Sequence, residues 1–218
     1  LAIKALGELK GKPFFLAVGY LKPHLPFVAP KKYWDLYKRA KIELPRPAIP
    51  PKDAPAAALH PGGELRGQYT NMKETELSEA QARELRHGYS ACVSFVDAQI
   101  GRLLAELDRL GLRENTIVIL WGDHGWHLGE HNLWHKRSLF EECARVPFIV
   151  VAPGAKASGQ KSASLVEMLD VFPTLCDLTG IPAPAQLEGK SLRPLLDDPA
   201  ATLHDAAFTQ ARRGANAE

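Results

Sequence analysis

The sequence contains no run of about 20 apolar residues, the length that a helix needs to cross a bilayer. It also lacks an excess of one charge, because 27 basic and 25 acidic side chains leave a formal net charge of +2. No internal repeat and no signal peptide is visible. We therefore expect no membrane span, and neither nucleic acid nor an acidic membrane surface as the main partner.

Cysteine is scarce, and Cys92, Cys143 and Cys176 are far apart in the chain. They form no C-x-x-C pair, which excludes the zinc frameworks that paired cysteines build. The chain begins at Leu1 rather than at a methionine and ends without an evident terminal element. We expect part of a longer protein, so the missing targeting signal carries no weight. With 45% hydrophobic residues among 218, the chain can still bury one good core.

Residues 116–121 are continuous, apolar and largely β-branched or aromatic, which predicts a buried strand. The pattern stops at Gly122, and Asp123 and His124 lie between this glycine and Gly125. In open α/β sheets, ligands bind beyond the carboxyl ends of the strands. A carboxylate and an imidazole at such a strand end favour a metal site, although Asp and Gly are also ordinary turn residues.

A second buried strand is predicted at residues 14–20, and two prolines then fix the backbone on either side of His24. Ser78 and Gln81 fit a capping box that opens a long helix. Large apolar residues, Val93 and Leu107 among them, recur every three or four positions and predict the face that packs on the core. The helix ends before Gly111 and leads to the strand at residues 116–121. Strand, long helix and strand form a crossover that implies parallel neighbours. His24 and Asp123 are therefore expected at the same sheet edge.

The remaining pattern predicts a short helix at residues 138–144, a third strand at 147–152 and a helix at 164–179. Residues 45–63 are rich in proline and alanine with no apolar period, so we expect a surface excursion that forms a functional rim. The predicted fold class is α/β, with a mostly parallel sheet flanked by helices.

The histidines that follow Asp123 and His124 offer a second interpretation of this stretch, as a zinc peptidase site. His127, Glu130 and His131 match the H-x-x-E-H pattern of inverted zinc peptidases. That pattern needs a helix, and Gly129 interrupts one. The alternative is that Glu130 and His131 hydrogen-bond a folded loop and hold its shape.

Lys136 closes this stretch with a mobile positive charge, although a lysine at a loop end usually faces solvent. Trp126 and Trp134 flank the stretch. They are either a rim for a ring-shaped substrate or core aromatics.

Five segments, in this order, resemble the type I sulfatases of the alkaline phosphatase superfamily. They are PFFLAVGYLKPHLPF, SACVSFVDAQIGRLLAELDRLGL, NTIVILWGDHGWHLGEHNLWHK, RVPFIV and LVEMLDVFPTLCDLTGIPAPAQLEGKSLRPLL. The nearest subgroup is iduronate-2-sulfatase-like. Because the resemblance runs over residues 13–196, it is more specific than any single motif.

The resemblance implies roles for individual residues. Asp123 and His124 match the family's late metal pair. His24 matches a histidine that contacts the sulfate and assists the leaving oxygen, and Lys136 matches a lysine that binds the sulfate. Trp126 lies where such enzymes contact the sugar.

Lys22, in Lys-Pro-His, is expected to bind substrate, but Leu21 stands where the subgroup often has histidine. The family's nucleophile is a formylglycine made within Cys/Ser-x-Pro-x-Arg, and none of the three cysteines fits this motif. The Asp-Asp metal pair that family members carry near the N-terminus is absent too. We expect the nucleophile motif and this metal pair in a missing N-terminal part.

The metal implied by the resemblance is Ca²⁺, which prefers six to eight oxygen ligands. His124 is an uncommon ligand for so hard a cation, so Zn²⁺ is the alternative. We expect residues 1–205 to be the C-terminal part of a sulfatase catalytic α/β domain. Residues 206–218 are expected to begin a truncated C-terminal subdomain.

The intact enzyme is expected to hydrolyse sulfate esters on sugars or glycosaminoglycans in a periplasmic, secreted or lysosomal compartment. The fragment alone is expected to be inactive. One alternative is a zinc-dependent phosphodiesterase or phosphonate hydrolase of the same superfamily. Another is a non-catalytic module that binds sulfated glycans.

Overall fold

The computed structural model describes residues 1–45, 49–59, 63–72 and 76–211. The chain divides into two compact units. The first comprises residues 1–113, 123–146 and 211–218, and the second comprises residues 114–122 and 147–210. Over the described ranges, no helix has the length and hydropathy of a membrane-spanning helix.

The longest element of the first unit is helix α4, Glu79–Leu110. Its start is the predicted capping box: the Gln81 backbone N–H donates to Ser78 Oγ at 3.3 Å, and the Ser78 N–H donates to Gln81 Oε1 at 2.9 Å. Its end is Gly111, whose left-handed φ of 70° closes the last turn. Both helix boundaries are therefore confirmed.

The face that α4 buries agrees only in part with the predicted stripe of large apolar residues. Leu107 is buried as expected, but Val93 is 43% exposed, whereas Ala91 and Cys92 are fully buried. A Cβ atom at Gly88 would lie 2.8 Å from Trp34 Cη2. Because this part of α4 packs through small residues at close approach, a pattern of large apolar side chains does not reveal it.

The first unit also contains α1 (Ala2–Leu9), α2 (Lys31–Trp34), α3 (Glu64–Gln68) and α5 (Glu141–Ala144). Both α1 and α2 pack on α4. The core beneath the candidate site consists of Leu25, Phe27, Leu65, Met72, Leu85, Cys92, Trp126 and Trp134.

The second unit contains strands β1 (Val118–Trp121) and β2 (Phe148–Val151) with helices α6 (Val171–Thr179) and α7 (Arg193–Asp197). The strands are antiparallel, with Val118 opposite Val151 and Trp121 opposite Phe148. The described residues thus form helices and a small sheet, which is an incomplete α/β fold.

The parallel pair expected of residues 14–20 and 116–121 does not occur among the described residues. Residues 14–20 form neither helix nor strand, and Phe15 is 81% exposed. The expectation came from the order strand, long helix and strand, which does not by itself fix which strands pair. The sequence pattern therefore located β1 but assigned it a neighbour that is not found among the described residues.

The helix predicted at residues 164–179 is shorter than expected. A 3₁₀ turn occupies Met168–Asp170, and the α-helix begins only at Val171. The cause is Asp170, a fully buried carboxylate. It accepts the backbone N–H groups of Glu167 and Lys190 at 2.8 Å and lies 3.0 Å from His204 Nε2. These contacts hold the preceding backbone outside the helix.

Candidate active site

His24 lies in a turn between two prolines, and its ring orientation is fixed from both sides. Nδ1 is 2.8 Å from the carbonyl oxygen of Leu25. Because a carbonyl only accepts, Nδ1 carries the hydrogen and Nε2 of the neutral ring is an acceptor. Nε2 is 3.0 Å from Lys136 Nζ. The ammonium of Lys136 therefore donates to His24.

Lys136 contacts three side chains of the site. Besides His24, its Nζ lies 2.9 Å from Glu64 Oε1 and 5.9 Å from the centroid of the Trp126 ring. Its side chain is only 17% exposed. Two of the three ammonium hydrogens are thus committed, and no acceptor among the described residues takes the third.

Lys22 points its ammonium inward, at the backbone of the same turn. Its Nζ donates to the carbonyl of His24 at 3.1 Å and to that of Pro26 at 2.5 Å. These bonds fix the turn that carries His24. The same ammonium was predicted to contact substrate, and it would have to do so while it is bonded to these two carbonyl groups.

Trp126 and Trp134 are core aromatics, because they are 9% and 3% exposed and belong to the buried cluster. The sequence left open whether these tryptophans form a substrate rim or part of the core, and their burial does not fit an exposed rim. The Trp126 ring still contacts the site through Lys136. Its Nε1 is buried and has no hydrogen-bond partner among the described residues.

Asp123 and His124 form the predicted doublet. His124 Nε2 lies 3.6 Å from Asp123 Oδ2, and His124 Nδ1 lies 2.7 Å from the carbonyl of Gly125. The Nδ1 hydrogen is directed to that carbonyl, so the Nε2 lone pair faces the carboxylate. The Asp123 side chain is 86% exposed, which leaves its oxygens accessible.

Gly125 holds this doublet in place because no other residue fits its position. Its N–H donates to the carbonyl of Cys143 at 2.8 Å. A Cβ atom there would lie 2.0 Å from the carbonyl oxygen of Glu142. The glycine thus permits a close approach of two backbone segments.

The doublet fits one side of a metal site. Neighbouring ligands of a Zn²⁺ or Ca²⁺ ion lie about 3.3 Å apart, close to the observed 3.6 Å between Nε2 and Oδ2. The residues that the structure describes contain no group of three or more ligands that could hold a metal ion. Any further ligands must therefore come from elsewhere.

The structure brings His24, Lys136 and Trp126 together and places Lys22 behind His24. It joins Asp123 to His124. Between these two groups, the described residues show no hydrogen bond or ion pair. Glu64 was missed by sequence analysis, because a single acid 72 positions before Lys136 gives no local signal.

The H-x-x-E-H pattern does not lie on a helix. Glu130–Asn132 form a 3₁₀ turn in which His131 has a φ of 56°. Glu130 Oε2 accepts the Leu128 N–H at 2.6 Å, and its Oε1 lies 3.1 Å from Arg86 Nη1. Glu130 therefore shapes a loop, as the alternative predicted, and the zinc-peptidase interpretation is wrong.

All three cysteines are buried. Burial raises the pKa of the Cys92 thiol, and it also raises the pKa of the Cys143 thiol against the opposing effect of hydrogen bonding near Ser138. Since the thiolate is the reactive form, neither group is suited to act as a nucleophile.

Residues 1–181 match the family profile named Sulfatase. Mouse iduronate 2-sulfatase is 36% identical over 217 residues, with coverage of 84% of this chain and 39% of the relative. The multifunctional alkaline phosphatase superfamily protein PehA of Trinickia caryophylli is 35% identical over 206 residues, covering 88% and 40%. The chain belongs to the sulfatase family.

Among solved structures, the phosphonate monoester hydrolase SpPMH from Silicibacter pomeroyi has a TM-score of 0.79 at 30% identity, covering 91% of this chain and 40% of that one. The architecture is therefore that of the alkaline phosphatase superfamily. The chain spans about two-fifths of the length of the curated relatives it matches.

Proposed function

We propose that the protein to which this chain belongs hydrolyses sulfate esters, and that His24, Lys136, Asp123 and His124 are part of its active site. The observation that supports this most directly is the bond between Lys136 Nζ and His24 Nε2 at 3.0 Å. It places a fixed positive charge and a proton-sharing partner side by side, as cleavage of an anionic ester requires.

In the net hydrolysis the bond between sulfur and the ester oxygen breaks, the leaving oxygen takes up a proton, and the sulfuryl group passes to water by way of the nucleophile expected elsewhere in the protein. The third N–H of Lys136 binds a sulfuryl oxygen. The leaving oxygen receives the proton held between Lys136 and His24 Nε2, and a proton released by the incoming water restores the pair. His24 therefore acts with Lys136 as a single proton-holding unit.

Asp123 and His124 would hold the metal through Oδ2 and Nε2. A bound divalent cation supplies positive charge against the sulfuryl oxygens. We propose Ca²⁺, with Zn²⁺ as the alternative, and the mixed oxygen and nitrogen donors fit either ion as one part of a larger ligand set.

No residue of this chain fits the formylglycine nucleophile, since the three cysteines are buried and lie outside the family motif. We propose that the nucleophile lies elsewhere in the protein and that these 218 residues alone have no turnover. Residues 1–205 would then be part of the catalytic domain, with residues 206–218 beginning a C-terminal subdomain.

The substrate proposed is a sulfated sugar, because the name of the mouse relative specifies sulfate on iduronate. Lys22 and Trp126 are proposed to support this site by bracing His24 and by packing under Lys136. We propose a periplasmic, secreted or lysosomal compartment for the protein, in keeping with a sulfated glycan as substrate.

A second candidate is a phosphonate monoester hydrolase or phosphodiesterase of the same superfamily. It is favoured by the likeness to the Silicibacter pomeroyi enzyme, whose TM-score is 0.79. The same ammonium and imidazole can serve a phosphoryl group, since it too presents anionic oxygens.

The test uses the intact protein with matched aryl sulfate and aryl phosphonate esters, followed by 2-sulfated and 6-sulfated monosaccharides. Faster turnover of the sulfate ester, abolished in K136A, supports the sulfatase. Preference for the phosphonate supports the second candidate. Binding of sulfated glycans without turnover of any ester would overturn both and indicate a non-catalytic module.

A further inference from the structure

Glu64 presents a carboxylate to the ammonium that the proposed function uses. Its Oε1 is 2.9 Å from Lys136 Nζ, with the two side chains 33% and 17% exposed. Both groups are partly withdrawn from water, so salt screens their attraction less than that of a surface pair. For comparison, Lys4 and Glu8 are 80% and 65% exposed and 3.6 Å apart.

The second carboxylate oxygen of Glu64, Oε2, lies in a position where no described residue offers it a hydrogen bond. Oε2 is buried and has no hydrogen-bond partner among the described residues. Leaving a buried acceptor unpaired costs free energy. Glu64 therefore lies beside Lys136 although its Oε2 forms no hydrogen bond within the part of the chain that the structure describes. Because buried acceptors are normally paired, this unpaired oxygen suggests that the position of Glu64 serves a function.

The backbone that carries Glu64 is anchored in the core. The next residue, Leu65, is fully buried in the same cluster as Trp126. Its carbonyl accepts the Tyr69 N–H at 3.0 Å, and the Tyr69 hydroxyl accepts the Phe27 N–H at 2.7 Å. Glu64 is therefore held on a fixed element, although it follows the long excursion.

We propose that Glu64 is a positioning residue that fixes the Lys136 ammonium against His24, and this inference rests on the proposed function. A lysine side chain is flexible, and a single partner leaves its Nζ free to move. Glu64 Oε1 and His24 Nε2 together take two N–H groups and orient the third toward the anion. Glu64 itself touches no reacting atom.

A double-mutant cycle in the intact protein tests this. We expect E64A to lower kcat about 10- to 100-fold with KM changed less than about 3-fold, because the loss concerns orientation rather than ground-state binding. E64Q, which keeps an acceptor oxygen, should recover most of the rate. In a K136A background E64A should cost less than about 2-fold, since Glu64 acts only through Lys136.

The control is E8A, which removes the exposed partner of Lys4 and should leave kcat unchanged. A loss from E64A that is equal in both backgrounds, or no loss at all, overturns the inference. Circular dichroism establishes whether each variant folds. If E64A does not fold, E64M, which has similar length and no acceptor, replaces it in the same cycle.

Nitrogen NMR of the His24 ring separates this inference from the proposed function. In the wild type Nε2 accepts from Lys136, so E64A should shift the Nε2 resonance, E64Q should shift it less and E8A should not. An unchanged resonance in E64A overturns the positioning role even in a protein without turnover. If the wild type cleaves no ester but the resonance shifts, the proposed function fails and the positioning of Lys136 stands.

Discussion

Lys136 Nζ lies 3.0 Å from His24 Nε2 although 112 positions separate the two residues in the chain. The turn between the prolines and the loop after Asp123 and His124 thus meet at one ammonium. Because the pair shares a single hydrogen, neither side chain is expected to work without the other.

The first prediction concerns this pair. K136A and H24N should each lower kcat of the intact protein about 10²–10³-fold, because K136A removes a fixed donor to developing charge and H24N removes the acceptor that orients this donor. The double variant should be little worse than either single variant, since groups that act as a unit are not additive. Turnover of a sulfate ester provides the measurement. K156A removes a lysine that is 77% exposed and serves as the control. Activity within 2-fold of wild type in K136A would contradict the proposed site.

The second prediction concerns Asp123 and His124, the proposed metal ligands. Adding Ca²⁺ or Zn²⁺ should raise the melting temperature of the intact protein, because an ion that binds only the folded state stabilises it. D123N and H124Q should weaken this effect, and D205N, at an exposed position, should not. The measurement is a thermal melt over a series of metal concentrations. An undiminished response in D123N would remove Asp123 from the ligand set.

The third prediction concerns the loop that Glu130 shapes. E130A should lower the free energy of unfolding by about 1–3 kcal/mol, because the Leu128 N–H and Arg86 lose a charged acceptor. Chemical denaturation measures this, and the exposed Glu188 supplies the control E188A. Zinc content should be the same in wild type and E130A. A fall in zinc would revive the peptidase interpretation.

The fourth prediction compares two glycines. G125A should cost at least about 2 kcal/mol of stability, because its Cβ would meet the Glu142 carbonyl at 2.0 Å. G101A lies in α4, where nothing stands within 4 Å, and should stabilise by about 0.5–1 kcal/mol. The free energy of unfolding of each variant decides. Equal stability of the two variants would contradict the close approach at Gly125.

The fifth prediction concerns pH and the thiols. Because burial raises the pKa of Cys92 and of Cys143, the thiolate fraction at pH 8 is smaller than in an exposed cysteine. Both should resist iodoacetamide in the native protein, react faster as the pH rises, and react fully in guanidinium chloride. Mass spectrometry of the peptides measures this. The reference is S158C, which places a thiol at an exposed position. If Cys92 in the native protein is alkylated as fast as the thiol of S158C, burial does not protect it.

The sequence predicted those parts of the fold whose signals are local. The capping box at Ser78 and the left-handed Gly111 fix the ends of α4 through neighbours three or four residues away. Residues 116–121 were correctly identified as containing a strand. Its expected parallel neighbour at residues 14–20 was not found among the described residues, because the order strand, helix and strand does not by itself fix which strands pair.

The candidate site was predictable in part for a similar reason. Prolines around His24 and glycines around Asp123 mark turns, and a turn after an apolar run indicates where a side chain can leave the core. Glu64 has no such local sequence signal, because its proposed role depends on Lys136, which lies next to it only in the folded chain. The shortened start of α6 likewise follows from Asp170 bonding to distant backbone groups.

The full burial of Leu65 has a consequence for the neighbouring acid. Because this leucine anchors the start of α3 in the core, we expect Glu64 to stay beside Lys136 when exposed residues of α3 are substituted.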